Sequence, residues 1–70
     1  MAVKLTKREF DVLMRAGFSD ADTANQLGLA PTTVRVYWIS VFKKLQAHGK
    51  AHAAIKAMRL DLISKYQFIV

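Results

Sequence analysis

The sequence predicts an all-α fold of four short helices in a single domain, with the second and third helices joined by a tight turn. Three observations carry this. From Val34 onward, Val34, Tyr37, Trp38, Val41, Phe42 and Leu45 recur at the spacing of one helical face. Just before that face stand Gly28, which has the backbone freedom to end a helix, and Pro31, which suits a first helical position where no N–H is needed. Near the amino terminus, Thr6-Lys7-Arg8-Glu9 has the spacing of a capping box, in which hydroxyl and carboxylate each satisfy the other's backbone N–H. A length of 70 residues makes one small domain, taken as residues 1–70.

In chain order, the capping box opens a first helix over about 7–16. Phe10, Leu13 and Met14 lie on one side of it, Val12 and Ala16 lie near them, and Leu5 is placed to staple onto it. Gly17 is expected to end it. Ser19-Asp20-Ala21-Asp22 is a weaker box, with Asp in place of Glu, before a helix over about 20–27 that buries Ala24 and Leu27. The third helix covers about 31–45; Ala30 is a poor cap, so Pro31 and the following threonines define its start. Gln46 to Lys50 is a connection with Gly49 as the breaker, and a fourth helix is expected over about 51–63. Its apolar residues fall on two sides. Ala53, Ala57 and Leu60 form one, suited to close packing. Ala51, Ile55, Met58 and Leu62 form nearly the opposite one, with His52, Lys56 and Arg59 between. A small domain covers one side of a terminal helix, so the second points to a partner chain, unless the tail covers it. That tail, 64–70, is apolar and β-branched, and either continues the helix or folds back.

Composition narrows the function. Eleven Lys plus Arg against five Asp plus Glu give a net charge of +6, which favours polyanions: nucleic acid first, an anionic membrane surface second. The absence of cysteine removes disulfides, cysteine metal sites and thiol chemistry, and is compatible with a reducing cytoplasm, where a nucleoid-associated protein would work. No apolar run approaches the roughly 18 residues of a membrane span, and no signal peptide is visible. A hydrophobic content of 53% is high for so basic a chain and favours association. Ser19, Ser40 and Ser64 have no recognisable base and orienter, so no catalytic residues and no enzyme are expected. His48 and His52 are four apart, but Gly49 interrupts them and no third ligand is near; helix capping or exposure is the expectation, with no metal and no cofactor.

The side of the third helix away from the apolar face carries Thr32, Thr33, Arg35, Val36, Ile39, Ser40 and Lys43. A helix buried on one side and bearing Thr, Arg, Ser and Lys on the other is built like a recognition helix for the DNA major groove; the alternative is an amphipathic helix with a solvated basic face. Arg35 can pair bidentately with guanine, or else reach a phosphate. Lys43, Lys44 and Lys50 are candidate phosphate contacts, with Lys44 alternatively paired to Glu9. Tyr37 and Trp38 belong to the core.

Taken together, Leu5-Thr6-x-Arg8-Glu9, Val12-Leu13, Gly17-x-Ser19, Ala24-x-x-Leu27-Gly28-Leu29, Thr33-Val34, Lys44-Leu45, His48, Ala53 and Leu62-Ile63 resemble the LuxR-type (GerE/FixJ-type) helix-turn-helix domain of bacterial transcription regulators, over about Leu5 to Ile63. The resemblance implies helices two and three as the helix-turn-helix, helix three in the major groove of double-stranded DNA, and a homodimer through helix four. It places Thr32 and Thr33 near phosphates and Arg35, Val36 and Ile39 toward bases. The chain departs from the family pattern in a shorter segment between Val12-Leu13 and Gly17, in Thr23 for an aliphatic residue, in Ala30 for a Ser cap, in Tyr37 for a frequent His, and in Ile39 for a polar or basic residue. With Val36 and Ile39 both apolar, a second reading stands beside the first: a module of the same fold that presents this face to a protein partner or to another regulator. A sigma-factor-like promoter-binding domain shares the opening pattern of helix one, but the Leu45…His48…Ala53…Leu62-Ile63 continuation argues against it. No receiver or ligand-binding segment accompanies the domain, which leaves a stand-alone regulator or a piece of a longer chain.

Overall fold

A computed structural model describes residues 3–64 and 67–69. It contains α1 (Lys7–Leu13), α2 (Asp20–Leu27), α3 (Pro31–Leu45) and α4 (Lys50–Arg59), and no strand among the described residues. The centre is α3, which packs against each of the other helices. Its buried stripe of Val34, Trp38, Val41 and Leu45 meets Val12 and Leu13 of α1, Ala24 of α2, and Ala53 and Ala57 of α4 in one cluster. Ala53 and Ala57 have no side chain beyond Cβ, which lets α4 approach α3 closely. The radius of gyration of 11.0 Å is that of a close-packed chain of this length, about 11 Å.

The capping box at α1 forms as the spacing requires: Thr6 N–H donates to Glu9 Oε1 at 2.7 Å and Glu9 N–H to Thr6 Oγ1 at 3.2 Å. The box at α2 forms by half, with Asp22 N–H donating to Ser19 Oγ at 3.1 Å. Gly28 ends α2 in the left-handed region at φ 68°.

The helix ends differ from expectation in two places, each for a local reason. The first helix, expected to 16, stops at Leu13, three residues before Ala16. After Met14 the hydrogen bonds shorten to three-residue turns, Arg15 N–H to the Val12 carbonyl and Ala16 N–H to that of Leu13. Arg15 occupies the exposed end, with Nη1 donating to the Asp11 carbonyl and Nε to Gln26 Oε1 on α2, each at 2.8 Å. The fourth helix, expected over 51–63, begins at Lys50 and stops at Arg59. Asp61 takes a left-handed φ of 56°, and Asp61 and Leu62 N–H donate back to the Met58 and Ala57 carbonyls. A residue other than glycine closes this end, so the sequence carries no glycine signal there.

That early stop redistributes the apolar faces. Leu60, expected inward beside Ala53 and Ala57, is exposed at the helix end. Leu62, expected on the outward face, lies beyond the helix and packs against the core together with Met58. The tail folds back: Ile69 N–H donates to the Met14 carbonyl at 2.8 Å and Phe68 packs on the core. Tyr66 and Val70 of that tail lie outside the described residues.

Thr23 is fully buried on α2, and among the described residues its hydroxyl has no hydrogen-bond partner. A stranded buried hydroxyl costs on the order of 1–3 kcal/mol. Thr23→Val keeps the shape and removes the hydroxyl, so urea unfolding should show the variant about 1 kcal/mol more stable. An unchanged or lower midpoint would mean that the hydroxyl is satisfied in solution.

Candidate nucleic-acid interface

The turn between α2 and α3 sets how α3 is presented. Leu29 N–H bonds back to the Ala24 carbonyl at 2.9 Å, and Ala30 enters the helix in extended conformation without a side-chain cap. The positive end of a 15-residue helix therefore opens outward next to exposed Thr32. Opposite the buried stripe, Thr32, Val36, Ile39 and Lys43 are all exposed and follow one another at the same spacing, so they form a continuous outer stripe. Val36 is 63% exposed and Ile39 48%. Thr33 is partly buried beside this stripe.

One of the residues expected here is otherwise engaged, and another has an acidic neighbour. The Ser40 hydroxyl turns inward and donates to Glu9 Oε2, which joins α3 to α1. Arg35 is exposed, and its Nε lies 3.9 Å from Asp20 Oδ2 at the start of α2. Asp20 also accepts from Lys50 Nζ at 2.9 Å, and that ammonium sits 5.4 Å from the centre of the Trp38 ring. Lys50 is thus tied between α2, α3 and the start of α4. Lys44, the other lysine with two alternatives, bonds Glu9 Oε1 at 2.7 Å. Lys43 remains on the outer stripe. The part played by Asp20 was not visible in sequence, because its two partners lie 15 and 30 residues away.

The Glu9 carboxylate is buried at 3% exposure. Burial alone raises its pKa, but the Lys44 ammonium, the Ser40 hydroxyl and the Thr6 N–H together bring it down from the ordinary 4.5 to about 2. It stays ionised and holds the middle of α3 to the start of α1.

On α4, Ala51 and Ile55 are exposed, with Ile55 at 46%, and Met58 is half-buried beside them. His48 and His52 stack with ring centroids 5.5 Å apart, and His48 N–H donates to His52 Nδ1 at 3.1 Å, which ties the residue before Gly49 to α4; the helix itself starts at Gly49 without a side-chain cap.

The family model described as bacterial regulatory proteins, luxR family, matches residues 3–57, which takes in α1 to α3 and most of α4. The chain belongs to the LuxR family. The members of this family are regulatory proteins, and a DNA-binding domain fits that description. The LuxR-family chain is 37% identical over 62 residues to the HTH-type transcriptional activator RamA of Corynebacterium glutamicum; the match covers 86% of this chain and 22% of RamA. The chain therefore spans about a fifth of the length of that relative. No solved structure matches it. Among the described residues, no helix is long and apolar enough to cross a membrane.

Proposed function

We propose that this LuxR-family domain is a sequence-specific transcription regulator that binds DNA as a homodimer, with α3 in the major groove and α4 at the dimer contact. The observation that carries the proposal is the outer stripe of α3, Thr32-Val36-Ile39-Lys43, exposed along a helix whose opposite side is fully packed. Thr32 and Lys43 stand at its two ends, where a helix lying in the groove passes the phosphate backbones. Thr33 lies at the same helix start, and Arg35 flanks the stripe. The exposed pair Ala51 and Ile55 on α4 supports a second copy as the other partner.

Titration of random-sequence duplex pools across a salt series tests this. Binding should be selectable for sequence and fall steeply with salt, at a log–log slope of about −0.9 for each phosphate contact. Lys43→Ala should make the slope shallower by about that amount and leave the preferred site unchanged.

The apolar exposure of Val36 and Ile39 favours one other reading, in which this face docks a protein partner such as another regulator or the transcription machinery. Failure to bind any duplex at low salt would favour that reading over the first.

A further inference from the structure

We infer that Val36 and Ile39 make the α3 face a reader of thymine methyl groups, so that this domain selects sites by carbon contact more than by hydrogen bonds; the inference rests on the DNA-binding role of α3 proposed above. Both ends of the outer stripe are polar, and both middle positions are apolar. Single exposed apolar residues on a surface need no explanation. These two are neighbours one turn apart, at the centre of a helix face that follows the turn, starts without a side-chain cap and is packed along its back.

The polar groups nearest that centre stand outside the stripe itself. Ser40 gives its hydroxyl to Glu9, and Arg35, exposed and 3.9 Å from the Asp20 carboxylate, flanks the stripe beside Val36. Carbon is what remains at the middle of the face. Among the base edges of the major groove, the thymine C5 methyl is the apolar group; the others are donors and acceptors. Pressing Val36 or Ile39 onto a cytosine amino group or a guanine carbonyl would strip water from it without replacement, which is unfavourable. Pressing them onto a methyl group removes apolar surface from water on both sides. Residues three apart on a helix have Cβ atoms about 5–6 Å apart. Successive bases rise by about 3.4 Å, so the two side chains span methyl groups one or two steps apart.

The test uses a selected site in which thymines are replaced singly by deoxyuridine, which keeps the pairing and removes only the methyl. Fluorescence anisotropy should show affinity falling about fourfold for each contacted methyl, the worth of one buried carbon. The Val36→Ala, Ile39→Ala double variant, which changes exposed side chains only, should bind thymine and uracil sites equally, with a circular dichroism melt like that of the parent. Replacing a thymine·adenine pair by 5-methylcytosine·guanine should cost less than replacing it by cytosine·guanine. Selective binding that is indifferent to uracil would overturn this inference and leave the DNA-binding role standing. A double variant that keeps the full uracil discrimination would also overturn it. Absence of any duplex binding would overturn both.

Discussion

Glu9→Ala is expected to lower folding stability by about 3 kcal/mol near neutral pH, a large part of what a chain of this size has, on the order of 3–10 kcal/mol. The carboxylate is buried, accepts from Thr6 N–H and Lys44 Nζ at 2.7 Å each, and takes the Ser40 hydroxyl as well. Its pKa lies at about 2 in the folded protein against an ordinary 4.5. A carboxylate with a lowered folded pKa contributes stability that is fully present above its unfolded value and is lost as pH falls through its folded value. The window is therefore from about 4.5 down to about 2, and the difference corresponds to about 3 kcal/mol. Glu9→Gln keeps the size and removes the charge. Urea unfolding should show wild type losing stability between pH 5 and 2 while the Gln variant stays flatter, the two drawing together near pH 2. If the Gln variant matches wild type at pH 7, the Glu9–Lys44–Ser40 network contributes nothing net, and α1 is held in place by apolar packing, that of Val12 and Leu13 foremost.

Much of this architecture was legible because it is written in local chemistry. The Thr6–Glu9 box, the left-handed Gly28 and the Pro31 start all act within a few residues of one another, and the structure has each of them. The core stripe of α3 was legible because burial repeats with the helix. What escaped was set by tertiary contact. The end of α4 depends on Asp61 adopting a left-handed conformation that glycine ordinarily marks, so periodicity alone carried the expected helix on to Ile63. Ser40 falls on the outward half of a helical wheel, yet its hydroxyl finds a carboxylate 31 residues earlier in the chain. The Asp20 contact with Lys50, and the looser approach of Arg35 to the same carboxylate, have no sequence signature for the same reason. On α4, spacing grouped Ala51, Ile55, Met58 and Leu62 as one outward face, but the early end of the helix sends Leu62 back to the core beside Met58 and leaves Ala51 and Ile55 exposed.

Ile55→Asp is therefore expected to leave the domain folded and to remove the coupling between two half-sites, a loss of roughly 5–150-fold in full-site affinity, the usual range of coupling between linked sites. Ile55 is 46% exposed on the side of α4 away from Ala53 and Ala57, so a carboxylate there meets water in the monomer. In a two-fold dimer the same patch faces itself, and each Asp would stand against its own copy and against apolar surface. That juxtaposes like charges where burial was favourable, which is strongly unfavourable. Two recognition helices set by such a dimer fall about one turn of DNA apart, roughly 34 Å, so the cognate sites should be imperfect palindromes with half-sites about ten base pairs apart. One short helix per subunit would bury less than the roughly 1,600 Å² of a standard interface, so such a dimer should be weak alone and strengthened by DNA. Met58→Asp is the contrasting variant: Met58 packs against the core, so its substitution should lower the melting temperature as well as the coupling. Half-site against full-site titration reads the coupling, and circular dichroism reads the fold. An Ile55→Asp protein that still binds full sites cooperatively would move the dimer contact off this face of α4. One that unfolds would make Ile55 part of the core in solution.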